Sequence, residues 1–416
     1  MNAYVEVADV NPTHPIAFAV LYLPFGVAFG YVIVTLGYLL THAGVSVLHV
    51  AALIALSLVP ASWKVFAAPI IDTTLSARRW HVISASASGV SILAIALVPK
   101  PQHYLWLLET LIFVLSISAN VSSMATEKLM GIHSGEHEKG RVGGWCQVGN
   151  LGGLGVGGGA ALWLSDHWAP WAGGALLALI CLLSTLALRW YPNPEPAGIP
   201  GRRYPVALLA VARDVWAVAR TRGSFLALML VVLPIGTSAA SYLWSSVADD
   251  WHVSADAVAL VNGVLGGILS AAGCVAGGYL CDVLDRKRGY LLFGGLQALC
   301  AVAMAVGPRT AATFVVLACA YALITGCFYA AFTAMVLETI GRKSVATTYN
   351  LFAGFSNIPI AMVTFVEGLA HERWGSTGML YSEGVLCAGA VALFFAVALL
   401  TRPPTGGGNL EVPKIV

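Results

Sequence analysis

The strongest constraint on the fold is an internal repeat laid down in apolar sequence. Leu23-Pro24-Phe25-Gly26 recurs as Leu233-Pro234-Ile235-Gly236, and Asp72 followed by Arg78 and Arg79 recurs as Asp282 followed by Arg286, Lys287 and Arg288. From 23 to 233 and from 72 to 282 the offset is 210 residues, half of a 416-residue chain. A duplicated set of six apolar spans joined by one polar linker predicts two pseudo-symmetric bundles, with a solute site near the membrane midplane between them.

Composition removes the water-soluble readings. Hydrophobic residues are 58% and charged residues 10%, against about 25% charged in soluble domains; mean hydropathy is +0.81. Twelve segments are each about 20 residues, enough to cross a hydrocarbon core of ~30 Å as helices. They fall at about 15 to 40, 47 to 70, 80 to 98, 103 to 126, 141 to 164, 170 to 189, 224 to 247, 257 to 281, 289 to 306, 311 to 336, 343 to 366 and 378 to 400. The fold class is therefore an all-α membrane protein of twelve transmembrane helices, with an N-terminal bundle over 1–190, a linker over 191–222 and a C-terminal bundle over 223–416. A cleavable signal peptide is not expected, because residues 1–14 hold no Lys or Arg and the first span is too long. After the stiff Tyr191-Pro192-Asn193-Pro194-Glu195-Pro196, the linker sets Val206, Leu209, Val211, Val215 and Trp216 against Arg213, Asp214 and Arg220. This reads as an amphipathic helix on the membrane surface.

Charge placement orients the chain. Of 22 Lys and Arg, only Lys100, Arg309 and Arg373 fall in one set of alternate loops, and Lys64 falls inside a span. The remainder lie in the other set and in the termini, which predicts cytoplasmic N- and C-termini in a bacterial inner membrane. The net charge of +2 is thus a topology signal, and no basic groove with interleaved aromatics points to nucleic acid. The eight cysteines lie in or beside spans without CxxC spacing, so neither a disulfide framework nor a metal site is expected.

The stretch Gly277-Gly278-Tyr279-Leu280-Cys281-Asp282-Val283-Leu284-Asp285-Arg286-Lys287-Arg288 resembles the loop signature of the major facilitator superfamily, G-x-L-x-D-x-x-x-R-K-R. Further stretches resemble its peptide/acetyl-coenzyme A transporter branch, which includes AmpG-type muropeptide permeases: Pro60 to Asp72, Gly158 to Trp168, Phe332 to Glu338, Ala346 to Phe352, and Val366-Glu367-Gly368-Leu369-Ala370 leading to Trp374-Gly375. The resemblance implies that helices five and eight face each other across the halves. Both are glycine-rich, through Gly149 to Gly159 and Gly263 to Gly278, and small residues let membrane helices approach closely. It also implies rocking contacts on helices 1, 7 and 10, where Tyr22, Tyr31, Tyr242, Trp244, Tyr321 and Tyr329 are candidate cavity residues.

Polar groups at depth mark the expected solute path, since a charge in hydrocarbon costs about 3 kcal/mol or more. Lys64 and Glu109 are both expected to face the bundle interior. Lys64 requires an anion, either a solute group or a carboxylate such as Asp72, with the solute favoured because Asp72 is eight residues, about 12 Å, along the helix. Glu109 is the candidate proton carrier. Gln147, Asn150 and Asn357 fall near the midplane, where amides can hydrogen-bond a solute without the cost of a charge. Asp72, Arg78, Arg79, Glu127, Asp282, Arg286, Lys287, Arg288 and Glu338 cluster at inner helix ends and are candidate gate residues, able to pair with one another or with helix dipoles.

These features predict a monomeric secondary transporter, proton-coupled and inward-directed, for a sizeable polar or anionic solute, a muropeptide-like compound first. A siderophore or acyl-carrier permease is the alternative. A membrane-bound enzyme or receptor fits less well, because the chain has no G-x-S-x-G, metal-spaced cluster or exterior domain. No cofactor is expected.

Overall fold

A computed structural model describes residues 16–133, 139–191, 209, 213, 216, 220–340 and 345–401. The described residues make twelve helical passes. The first six are α1 (Ile16–His42), α2 (Val47–Ser62 and Lys64–Thr73), α3 (Ala77–Ala96), α4 (Leu105–His133), α5 (Lys139–Gly155 through Ala161–His167) and α6 (Ala172–Trp190). The second six are α7 (Arg222–Val232 and Ala239–Val247), α8 (Ala255–Val258 through Gly266–Val283), α9 (Arg286–Val306), α10 (Ala311–Ile340), α11 (345–374) and α12 (376–400). This is the twelve-helix, two-bundle membrane architecture expected from the repeat. Among the described residues, seven helices, α1, α4 and α10 among them, are long and apolar enough to cross a membrane. Within the linker, Leu209, Arg213 and Trp216 are helical and exposed, and Arg220 lies 5.7 Å from the Trp216 ring centroid.

Local chemistry sets the helix starts. Ser46, Ser76, Thr221, Ser254 and Asp285 each accept a backbone N–H three residues on, at the starts of α2, α3, α7, α8 and α9. Between α11 and α12 the turn is a single residue, Gly375, at φ 65° and ψ −168°, a conformation closed to other residues.

The two copies of the repeat fold differently. In α1, Leu23-Pro24-Phe25-Gly26 stays helical through Pro24, and Gly26 lies directly on the α5 backbone, where a Cβ would come 2.3 Å from the Asn150 carbonyl oxygen. In α7, Leu233-Pro234-Ile235-Gly236 is unwound and the helix restarts at Ala239. Gly236 has φ 66°, and the Phe328 ring occupies the space that a Cβ would need. The groups freed by this break are taken up locally. Tyr290 donates its hydroxyl to the Leu230 carbonyl at 3.2 Å, and Gln297 donates to Ser238 and Thr325 at 2.7 Å each.

The end of the molecule carrying Ile16 and Thr401 is called proximal here, and the opposite end distal. One core runs through the distal halves of both bundles, from Val27, Ile54, Leu108 and Leu162 to Leu243, Val258, Phe314 and Leu380. The proximal halves have separate cores, one around Phe18, Leu129 and Leu188 and one around Leu230, Phe293, Met335 and Phe394. The distal halves also meet through polar contacts: Ser245 donates to the Ile33 carbonyl at 2.8 Å, His42 lies 3.3 Å from Asp249, and His167 lies 3.7 Å from Asp256. Close backbone approach makes this possible. A Cβ on Gly263 would come 2.6 Å from Gly159 Cα. The glycines of α5 and α8 serve more than that seam, since Gly149, Gly153 and Gly157 seat α5 on α1, while Gly273 and Gly277 seat α8 on α10.

The α7 break yields a test. Gly236→Ala places a Cβ at positive φ, about 1–2 kcal/mol, and against the Phe328 ring, about 1–3 kcal/mol of overpacking. Thermal unfolding of the purified protein should show a clear loss of stability, partly recovered by Phe328→Leu in the same chain. An unchanged midpoint in Gly236→Ala would remove the steric account.

Candidate functional site

The proximal half of the first bundle holds a cluster built on a break in α2. Trp63, at φ −106° and ψ 9°, interrupts the helix, and Lys64 opens its second half. Lys64 Nζ lies 2.5 Å from Glu127 Oε1 on α4, and the Tyr22 hydroxyl on α1 donates to the same oxygen at 2.9 Å. The lysine and glutamate side chains are 15% and 27% exposed, so the pair is shielded yet still reachable by solvent. Behind it His81 is fully buried, its Nδ1 3.3 Å from the hydroxyls of Ser122 and Thr126, with Nε2 unpartnered.

This arrangement corrects the reading of two expected residues. Lys64, for which a solute anion was the favoured partner, has a carboxylate partner within the protein, Glu127, which α4 brings to the same depth. Glu127, expected at an inner helix end as a gate partner of a basic residue, pairs with Lys64. Glu109 does not face the bundle interior. The buried face of α4 is set by Leu108, Ile112 and Leu115, and Glu109 falls off that face, exposed beside Trp106 and Thr110.

The second bundle contains a buried polar cluster that the sequence reading passed over. Glu383 on α12 is 4% exposed and Glu367 on α11 is 0% exposed. Tyr321 on α10 donates its hydroxyl to Glu383 at 2.5 Å, and the Ala240 amide, in the first turn of the second half of α7, approaches the same carboxyl. The Trp244 ring packs edge-on against Tyr321 with centroids 4.7 Å apart. A signal was present in the sequence, for Glu367 and Glu383 each stand eight residues from Gly375. With the eleventh span drawn to 366, one glutamate fell outside it, and the other was not weighed as a charge at depth.

The remaining expected residues divide. Tyr31 and Trp244 are buried packing residues. Tyr242 and Tyr329 share a hydroxyl hydrogen bond. Asn150 is half-buried on the α5 face that meets Gly26, and Asn357 donates to the Ala353 carbonyl at 2.8 Å. At the proximal end Arg78 donates to the Tyr191 carbonyl at 2.7 Å, and Lys287 to the Gly223 carbonyl at 3.4 Å. Asp285 caps Arg288 N at 3.0 Å. Arg79 and Arg288 are exposed and Arg286 is half-buried. The side chains of Gln147, Asp72, Asp282 and Glu338 lie outside the described residues.

Comparison with known proteins agrees with this architecture. Residues 225–415 match the Major Facilitator Superfamily. The anhydromuropeptide permease of Escherichia coli (strain K12) is 28% identical over 255 residues, covering 58% of this chain and 50% of that protein; the permease of Escherichia coli O157:H7 matches equally. The chain thus spans about half the length of the curated relatives it matches. Among solved structures, the nucleoside transporter NupG superposes with a TM-score of 0.68 at 14% identity, over 93% of this chain and 99% of that one. A POT family transporter in complex with 5-aminolevulinic acid gives 0.68 at 10%, over 93% and 95%. Over 93% of its length the chain has the fold of these transporters, its residues 225–415 match the superfamily's sequence pattern, and it resembles the anhydromuropeptide permeases.

Proposed function

We propose that the protein is a secondary transporter that carries a sizeable polar or anionic solute across a bacterial inner membrane by alternating access, importing it with protons. The observation that carries this reading is the division of the core. The distal halves of the bundles share one core and the proximal halves have two, as a protein closed on one side and partable on the other requires. With the termini cytoplasmic, the distal end faces outward. The resemblance to anhydromuropeptide permeases makes an anhydromuropeptide the first solute to test. Its peptide carboxylates are the kind of anion that can replace Glu127 at Lys64, so that the lysine exchanges one carboxylate for another and is never left bare in a low-dielectric site. Tyr22, already bonded to Glu127, would release it as that exchange proceeds. The basic turn of Arg286, Lys287 and Arg288, like that of Arg78 and Arg79, is read as a cytoplasmic gate.

Proteoliposomes test the transport reading. Purified protein should exchange radiolabelled anhydromuropeptide across the membrane and accumulate it when the lumen is alkaline, with uridine and a dipeptide as competitors. Absence of exchange for all three would overturn the reading. The Lys64 proposal makes its own prediction: Lys64→Met should weaken anhydromuropeptide binding by about 1.5–3 kcal/mol, the range of a charged hydrogen bond, whereas Glu127→Gln should leave binding intact or tighten it. If Lys64→Met instead lowers thermal stability without changing affinity, and Glu127→Gln added to it restores stability, the pair only holds helices together.

A further inference from the structure

We propose that Glu367 and Glu383 form a proton-binding site inside the second bundle, separate from the Lys64–Glu127 pair and joined to the distal closure through α7. The site itself follows from geometry; only its role in coupling rests on the transport reading.

Both residues stand eight positions from Gly375, so the hairpin sets them level, about 12 Å from the turn at 1.5 Å per residue. At that depth both side chains are buried. Glu367 has no hydrogen-bond partner on either oxygen, and Glu383 has none on Oε2. The indole Nε1 of Trp244, a residue 3% exposed and packed edge-on against Tyr321, is likewise unpartnered. An apolar interior does not hold an unpartnered carboxylate, and two carboxyls within electrostatic reach of each other do not both ionise. The groups that act on the pair are the Tyr321 hydroxyl from α10, the Ala240 amide from α7, and the thiols of Cys300 on α9 and Cys387 on α12. The α2 surface meeting α11 here is apolar, with Leu48 and Ala51 against Gly368. Arg309, nearer the distal surface, is engaged by the Trp251 ring at 3.9 Å and by Thr377. His371 and Asp250 lie at the same surface. The pair therefore keeps a proton and exchanges it.

That exchange is felt by α7. Its second half starts at Ala239 beside Glu383, so the positive end of that helix dipole faces the carboxyl. The same half-helix carries Ser245 and Ser246, which pack on Gly37, and Ser245 donates to the Ile33 carbonyl of α1 at the distal closure. A proton gained or lost at the pair changes the charge that this helix end faces, and so changes the hold of α7 on the closed distal side.

Infrared titration of the purified protein tests the site without a solute. A protonated-carboxyl C=O band should persist at neutral pH, be altered in Glu383→Gln and in Glu367→Gln and be lost when both are changed, with Glu109→Gln as the exposed control. In proteoliposomes holding radiolabelled anhydromuropeptide, both variants should keep exchange at equal pH and lose pH-driven accumulation at least tenfold. If Glu383→Gln fails to fold, Glu367→Gln decides, because its oxygens make no bond that the change would break. An unaltered band in the glutamate variants, retained pH-driven accumulation, or accumulation driven by a sodium gradient would overturn the proposal. Missing exchange in the unmodified protein would sink the transport reading and leave the infrared result to judge the site alone.

Discussion

A backbone carbonyl or amide that loses its helical partner inside hydrocarbon costs several kcal/mol unless another group takes it up. Much of the internal polar chemistry of this protein answers that demand. Where α1 widens into a π-turn at Tyr31–Leu36, Thr35 donates to the carbonyls of Gly157 and Gly158, which belong to a second π-turn on α5. Where α7 unwinds, Tyr290 reaches the Leu230 carbonyl and Gln297 ties Ser238 to Thr325. Each irregular turn is thus stitched to a neighbouring helix, and the interhelical contacts follow from the breaks.

The same demand explains how two similar sequences take different shapes. Pro24 and Pro234 each withhold an N–H from their helix. In α1 the gap stays within a helix pressed onto α5 by Gly26, so no unwinding is needed. In α7 the equivalent glycine adopts positive φ under the Phe328 ring, and the freed carbonyls find the Tyr290 hydroxyl. The duplication therefore supplies two scaffolds, of which only one carries a helix start in its interior. That start lies beside the buried carboxyls.

Much of the fold was legible from residue spacing. The twelve spans and the repeat rest on local periodicity, whereas the pairing of glycine-rich α5 with α8 came from the family resemblance. The site was less legible, because depth along a helix says nothing about the direction of a side chain. Glu109 and Glu367 are both glutamates near the distal ends of their helices. One falls off the Leu108–Ile112 face into the exterior, and the other is enclosed by α12, α10 and α7. Lys64 was recognised as needing an anion, yet its partner lay 63 residues away on α4, beyond any one-helix argument. Asp72 and Asp282 were legible as a repeated pair, while their side chains lie outside the described residues.

The one-residue corner at Gly375 has an implication for how this chain can vary over time. Most of its loops have several residues in which to absorb a change of length, but α11 and α12 meet with none to spare. A residue gained or lost in either helix between the corner and its glutamate would swing that carboxyl by about 100° around its axis, taking it out of the enclosure it shares with the other. The hairpin behaves as a ruler folded at its midpoint. Lineages that keep both glutamates are therefore bound to keep the count between them, even where every intervening apolar residue is free to drift.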